Sequence, residues 1–180
     1  MPKPLTDDKG RTISVVGLPT KYVSTTVVVA ATTNYAAGDV LSNSASVGTY
    51  LTFSDVVAQE GGSGRIVGAL AIAQSTQVVF LPTLLLYKAV PTSNLNDNAA
   101  NTGPSWTDRA GYIGEINFKA FTPNTGGART EAVEGEGGIP KRFVCGDALT
   151  DIYAIVVAET AETNEKAGES YLVTLLIEFN

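Results

Sequence analysis

Two segments of this chain are apolar on both faces of any strand that they could form, and this constrains the fold more than any other feature. In the segment from Leu149 to Val157, both alternating sets of residues are largely apolar. The segment from Thr76 to Lys88 (TQVVFLPTLLLYK) is too evenly apolar for a strand with one face in water. Strands that are buried on both faces have such near-continuous apolar runs. We therefore expect both strands to be covered on both sides.

Pro82 interrupts the second of these segments, and it limits where the strand can lie. A proline cannot donate a hydrogen bond to a neighbouring strand, so Pro82 indicates an edge strand or a bulge. An apolar edge left open would invite aggregation, so something must cover it. The polar loop from Val90 to Trp106 could fold back over the strand, with Trp106 as its anchor. A neighbouring subunit could cover it equally well, and the sequence leaves both solutions open.

The other apolar segments alternate with a period of two, which is typical of a strand with one buried face. The C-terminal segment places one apolar set in the core: Tyr171, Val173, Leu175, Ile177 and Phe179. A middle segment places another on one face: Tyr112, Ile116 and Phe118. Between Arg65 and Ala73 the pattern puts Ile66, Leu70 and Ile72 on one face, and Arg65, Val67, Ala69 and Ala71 on the other.

Glycine-rich and Asn-rich turn signals separate these runs, and no long segment has a capped helical stripe. The pattern predicts an all-β fold, an antiparallel β-sandwich that is jelly-roll-like, with about 8–10 strands. A chain of 180 residues suits one domain. We assign residues 11–180 to the sandwich and residues 1–10 to an extended N-terminal arm.

The residue inventory excludes several kinds of catalysis. The chain has no histidine and a single cysteine, which removes His-dependent nucleophile systems, thiolate zinc sites and paired-cysteine redox chemistry. Cys145 lies in an apolar run and is predicted to be a small buried hydrophobic residue. An enzyme that uses Asp151 or Glu115 is the hypothesis that we rank lowest. We therefore predict no catalytic residue, no metal ligand and no cofactor.

The Asn-rich run from Asn94 to Asn98 (NLNDN) offers alternating oxygen atoms, but it does not continue as a calcium-binding loop. The sixth and twelfth positions of such a loop need Gly and Glu, and here they are Ala99 and Ser105. Turns in which Asn and Asp side chains bond to the backbone explain the run better.

Charge and hydropathy limit the partners. The net charge is −6 and the twelve basic residues are scattered, so we do not expect nucleic acid to bind. The N-terminus lacks the apolar core of a signal peptide, and the longest apolar runs are too short to span a membrane. A single cysteine fits folding in a reducing cytoplasm.

Three stretches in order carry a family resemblance: TNYAAGDVLS (Thr33–Ser42), GGSGRIVGALAI (Gly61–Ile72) and LPTLLLYKAVPTSNLNDNAA (Leu81–Ala100). This arrangement resembles small virion proteins of tailed bacteriophages. Several such proteins are auxiliary capsid proteins, also called decoration or cement proteins, with sandwich or jelly-roll-like folds. The resemblance implies a non-enzymatic structural protein of the virion, assembled in the host cytoplasm.

A decoration protein would bind the major capsid protein on the outer surface of the head and form a homotrimer. Two sets of residues are candidates for these contacts. The capsid-contact arm would use Pro2, Lys3, Pro4, Asp7, Asp8 and Arg11. The subunit interface would use Leu84, Leu86, Tyr87, Asn96, Asp97 and Trp106. The alternative is a carbohydrate- or receptor-binding jelly-roll module of a phage tail or fibre, in which Trp106 and Tyr112 line a sugar site.

Overall fold

A computed structural model of the chain describes residues 19–30, 34–163 and 167–179. This part of the chain forms eleven β-strands and one short 3₁₀ helix, Asp108–Ala110. In chain order the strands are β1 (Thr20–Val28), β2 (Asp39–Leu41), β3 (Leu51–Phe53), β4 (Ser63–Ala73), β5 (Pro82–Tyr87), β6 (Tyr112–Asn117), β7 (Thr122–Asn124), β8 (Gly127–Val133), β9 (Lys141–Val144), β10 (Ile152–Ala158) and β11 (Ser170–Phe179).

The strands form two antiparallel sheets that pack face to face. One sheet has six strands in the order β1-β11-β4-β8-β7, with β9 also paired to β4 beyond the end of β8. The other has five strands in the order β2-β10-β5-β6, with β3 also paired to β10. The predicted all-β antiparallel sandwich is confirmed, with one strand more than the upper expectation. Its jelly-roll-like connectivity stays a prediction, and the N-terminal arm lies outside the described residues.

The core between the sheets combines small and large side chains. The inner face of β4 is a stripe of three buried alanines: Ala69, Ala71 and Ala73. Beside Ala71 lie three aromatic rings, Phe80, Phe121 and Tyr171, whose centroids are 5.2–6.0 Å apart. Because alanine projects so little from the sheet, the rings fill the remaining space, as the close packing of protein interiors requires. The aromatic contacts themselves add to the burial energy.

The alternation expected between Arg65 and Ala73 is wrong for half of the strand. The register of β4 against β11 shifts by one residue between Leu176 and Ile177, which leaves Val67 as an extra residue on β4. Such a bulge changes the face on which later side chains lie. Ile66 therefore points into the core, whereas Leu70 and Ile72 point outward. The alternation predicted for the C-terminal segment is confirmed from Tyr171 to Ile177.

The two evenly apolar strands, β5 and β10, lie next to each other inside the five-stranded sheet. β5 is bonded to β10 on one side and β6 on the other, so it is not an edge strand. Pro82 is its first residue, a position where a missing N–H is tolerated. All seven residues of β10 are buried, which confirms that both of its faces are covered.

Side chains from loops and neighbouring strands cover the side of this sheet that faces away from the six-stranded sheet. A second hydrophobic cluster forms here around Leu85 and Tyr87 of β5 and Tyr153, Ile155 and Val157 of β10. Four partly buried side chains pack on it: Tyr50, Leu95, Tyr112 and Leu149. Leu95 belongs to the loop from Val90 to Trp106, so that loop does fold back over β5.

Replacing Leu86 with alanine should destabilise the protein much more than the same change at Leu81. Leu86 is fully buried between the sheets, whereas Leu81 lies just before β5 and is partly exposed. Urea unfolding should show a loss of about 2–5 kcal/mol for Leu86→Ala. For Leu81→Ala the loss should be about 1 kcal/mol or less. Equal losses would contradict the placement of β5 inside the sandwich.

Candidate functional site

Four of the six residues that the sequence assigns to a subunit interface are buried within the chain itself. Leu84 and Leu86 point into the core between the sheets, Tyr87 packs in the second cluster, and Asp97 is enclosed by loops. They have no surface to offer to another subunit, so the interface expected there is corrected. The reason is that other parts of the chain cover both faces of β5 and surround Asp97.

Asp97 instead fixes the Asn-rich loop to the sandwich. Its carboxylate accepts hydrogen bonds from the Tyr35 hydroxyl at 2.7 Å and from the backbone N–H groups of Ser42 at 2.6 Å and Ala30 at 3.0 Å. A buried carboxylate is tolerated when donors surround it in this way. The adjacent Asn96, which is half-buried, accepts a hydrogen bond from Gly48 N–H and donates its own N–H to the Asn94 side chain. The oxygen atoms of this run are thus engaged by the chain, as the turn interpretation predicts.

Asp108, in the 3₁₀ helix that follows this loop, holds the beginning of the loop. Its carboxylate accepts hydrogen bonds from both the backbone N–H and the hydroxyl of Thr92 and of Ser93, at 2.6–3.1 Å. Burial alone would raise the pKa of the Asp108 carboxyl, but these hydrogen bonds outweigh it and lower the pKa to about 2. The loop is therefore closed by a carboxylate that stays ionised at neutral pH.

Trp106 does not anchor this loop, contrary to the expectation from the sequence. Its side chain is 80% exposed, and the Arg109 guanidinium lies over its ring at 4.2 Å from the centroid. The Arg109 side chain also donates to the Trp106 carbonyl oxygen. Leu95, and not Trp106, covers β5. Asp108 fixes the backbone of the loop, and the Trp106 side chain points outward. Tyr112 packs on Tyr87 at 5.3 Å, and the structure shows no ring contact between Trp106 and Tyr112.

The groups considered for catalysis have structural partners. Cys145 is buried, as predicted, and burial, with the nearby Asp151 carboxylate, raises the pKa of its thiol to about 11. Asp151 accepts hydrogen bonds from the Asp55 N–H at 2.8 Å and from the Thr150 hydroxyl, not from the arginine or lysine of β9. Glu115 accepts one from the Asn117 amide at 3.2 Å. These contacts orient turns and an exposed strand face.

Within residues 19–30, 34–163 and 167–179, no three His, Cys, Asp or Glu side chains are grouped closely enough to hold a metal ion. In that same part of the chain, no helix has the length and apolar character needed to cross a membrane.

An uncharged surface lies on the side of the six-stranded sheet that faces away from the core, and we call this surface the outer face. It is formed by outward side chains of three adjacent strands. β1 contributes Tyr22, Ser24, Thr26 and Val28, β11 contributes Leu172, Thr174 and Leu176, and β4 contributes Leu70 and Ile72. Tyr22 is 73% exposed, and Leu172 and Ile72 are each 37% exposed. Charged side chains flank this surface: Arg129 and Glu131 on β8 lie opposite Ile72 and Leu70, and Glu178 on β11 lies beyond Leu176.

The register explains how these residues form continuous rows. Tyr22 lies opposite Leu176, and Thr26 lies opposite Leu172, which in turn lies opposite Ile72. The row between them is polar but uncharged, and there the Ser24 and Thr174 hydroxyls are 2.8 Å apart. Neighbouring side chains on one face of a sheet interact directly, so the rows present one surface.

Sequence reasoning missed the outer face as a site. The alternation in the C-terminal segment predicts only that Leu172, Thr174 and Leu176 face away from the core. The sequence does not show that β1 and β4 flank β11, because these pairings join residues about 100–150 positions apart. The predicted capsid-contact residues, Pro2, Lys3, Pro4, Asp7, Asp8 and Arg11, lie outside the described residues.

Comparison with known proteins adds no relative: no protein-family model matches the chain, and no curated protein matches it significantly.

Replacing Asp108 with asparagine should destabilise the protein at neutral pH by about 1–3 kcal/mol, because buried donors lose a charged acceptor. The pKa of this carboxyl is lower in the folded chain than its ordinary value of 3.8, so its stabilising effect is complete above about pH 4 and is lost as the pH falls towards 2. Urea unfolding at several pH values should therefore show wild type and Asp108→Asn converging at low pH. Asp147→Asn, in an exposed turn, is the control and should follow wild type. A gap that stays constant from pH 7 to pH 2 would contradict this.

Proposed function

We propose that this chain is a non-enzymatic structural protein whose outer face is an assembly surface. More specifically, we propose a capsid decoration protein that forms a homotrimer on the outer surface of a phage head and stabilises it. The observation that carries the proposal is the uncharged outer face, which spans three strands and exposes Tyr22, Val28, Leu172 and Ile72. Exposed apolar patches of this kind are typical of protein–protein contacts.

Charge supports contact between copies of this acidic chain. The whole chain has a net charge of −6, so most approaches of one copy to another are opposed by like-charge repulsion. On the outer face, no ionised side chain lies between Tyr22 and Val28 of β1. None lies on the outward positions of β11 and β4 that are paired with this stretch. The outer face is therefore a surface on which a second copy can pack without meeting charge repulsion or removing a charge from water.

The edge of the sheet adds a second reason. β1 is nine residues long, pairs with β11 along its whole length and has no other strand neighbour among the described residues. Open edges are sites where further strands or other chains attach. Because β1 also contributes four side chains to the outer face, a partner can contact the edge and the face together.

The phage assignment depends on the resemblance of the three sequence stretches, not on the outer face alone. In the structure these stretches lie mainly in β2, β4, β5 and the loop that covers β5. They form part of the sandwich, whereas the outward residues of β1 and β11 belong to other segments of the chain. The role in assembly and the place in the virion are thus supported by different observations.

Replacing Leu172 with glutamate should dissociate the homo-oligomer. The carboxylate would lie between Thr26 and Ile72 at the centre of the outer face, where burial in a contact is costly. Light scattering should give wild type about three times the chain mass of 18.7 kDa and the variant close to one chain mass. Val47→Glu, an exposed apolar position in a loop, is the matched control and should keep the wild-type mass. A monomeric wild type would contradict the assembly proposal.

Attachment to the head is tested separately with cognate capsid shells. Wild-type protein should co-sediment with the shells, and deletion of residues 2–10 should weaken attachment while circular dichroism shows an unchanged fold. Full occupancy after the deletion would refute the role of the arm. Failure of wild type to bind shells would refute the decoration role but leave the oligomer intact.

One observation favours the alternative class, a carbohydrate- or receptor-binding module: the exposed Trp106 held by Arg109. Exposed tryptophans provide flat apolar surfaces for ligands. If this function is correct, Trp106→Ala should lose binding on a glycan array at unchanged stability, while Tyr22→Ala should not. If wild type binds no glycan, this alternative is refuted.

A further inference from the structure

A cleft lies where the edges of the two sheets come together, and it shares no lining residue with the outer face. It has a volume of about 730 Å³. Residues of β4, β6, β9 and β11 line it, together with Lys88, which follows β5. β6 and β9 each have a single strand neighbour in the described chain, so the cleft is bounded by the ends of both sheets.

Positive charge is concentrated in this cleft. Three basic side chains line it, Arg65, Lys88 and Arg142, against one acidic side chain, Glu178. The formal charge of the lining is therefore +2 in a chain whose net charge is −6. Such local reversal of charge attracts anionic groups to one place on the surface.

Three of these charges stand in one row across three strands, and two arginines lie side by side in that row. Glu178 on β11 lies opposite Arg65 on β4, and Arg65 lies opposite Arg142 on β9. Glu178 binds the Arg65 guanidinium through two nitrogen atoms, at 2.6 and 3.1 Å, and raises the pKa of Arg65. Among the described residues, Arg142 has no acid partner within 4 Å, and like charges directly opposite each other are unfavourable. A second carboxylate beside Arg142 would give each of the two arginines a negatively charged neighbour.

The walls of the cleft indicate what kind of molecule brings that carboxylate. Ile113, Phe143 and Val144 supply apolar surface beside the cations. The cleft falls within the usual size range of ligand pockets, about 300–1,000 Å³, and exceeds what a small inorganic anion fills. Single-stranded nucleic acid needs exposed rings on which bases stack. Here Phe143 is buried and Tyr112 packs against Tyr87.

From this geometry we propose that the cleft binds an acidic segment of a partner polypeptide. A glutamate or aspartate of that segment pairs with Arg142, a second acidic residue pairs with Lys88, and an apolar side chain between them contacts Ile113 and Val144. Arginine and carboxylate form two parallel hydrogen bonds, which makes Arg142 the central contact.

The probe is a fluorescein-labelled hexaglutamate peptide, and its binding to the full chain is followed by fluorescence anisotropy at low ionic strength. Wild type should bind it saturably, with an affinity that falls as salt is added. Arg142→Glu should weaken binding at least tenfold. Arg129→Glu, an exposed arginine on β8 outside the cleft, makes the same change in net charge and should weaken it less than threefold. Circular dichroism of both variants checks the fold.

Competition identifies the source of the anionic group. Unlabelled hexaglutamate should displace the probe, whereas twelve-nucleotide oligothymidylate and inorganic phosphate should need concentrations at least tenfold higher. The proposal is overturned if wild type does not bind the probe, if both variants lose binding equally, or if either phosphate compound displaces it more readily. The oligomeric mass of Arg142→Glu should equal that of wild type, which separates this result from the assembly proposal.

Discussion

The need to cover β5 and β10 on both faces determines the architecture of this protein. Two adjacent strands that are apolar all round cannot form the outer layer of a two-layer sandwich. The six-stranded sheet covers one side of them. The other side is covered by Tyr50, Leu95, Tyr112 and Leu149. The protein therefore has a third, thinner layer, to which the mostly polar loop from Val90 to Trp106 contributes Leu95.

A polar loop can serve as a covering layer only if its backbone groups find partners, and buried carboxylates supply them. Asp108 accepts hydrogen bonds from the N–H groups of Thr92 and Ser93 at the start of the loop, and Asp97 within the loop accepts them from the N–H groups of Ala30 and Ser42. Glu162 and Glu169 do the same for the segment before β5, through Val79 and Ser75. Buried carboxylates are costly unless they are bonded in this way, and the bonds fix the loops in one arrangement. Much of the acidity of the chain is thus structural.

A single bulge separates two surfaces of different chemistry on the six-stranded sheet. On one side of the register shift, rows of uncharged side chains run from β1 across β11 to β4. On the other side, Glu178, Arg65 and Arg142 form a charged row that leads into the cleft. Because Val67 is an extra residue in the strand, Ile66 points into the core and Arg65 points outward. The outer face and the basic cleft are neighbouring surfaces of different chemistry.

The sequence by itself determined the fold class, because period-two alternation in β11 and continuous apolar runs in β10 have few other solutions. It also determined that Cys145 is buried and that the Asn-rich run bonds to the chain. It indicated an edge strand or a bulge at Pro82, although a proline is compatible with the first position of an inner strand as well. It offered Trp106 as the anchor of the covering loop, because the sequence does not show which apolar side chain of a loop turns inward.

Only the tertiary structure decided which strands are neighbours, and both proposed surfaces depend on that. The outer face combines β1, β11 and β4, and the charged row combines β11, β4 and β9, which are distant in the chain. A bulge of one residue reverses the direction of every later side chain, and alternation alone cannot locate it. Local pattern sets which residues form strands, whereas long-range pairing sets what those strands present to a partner.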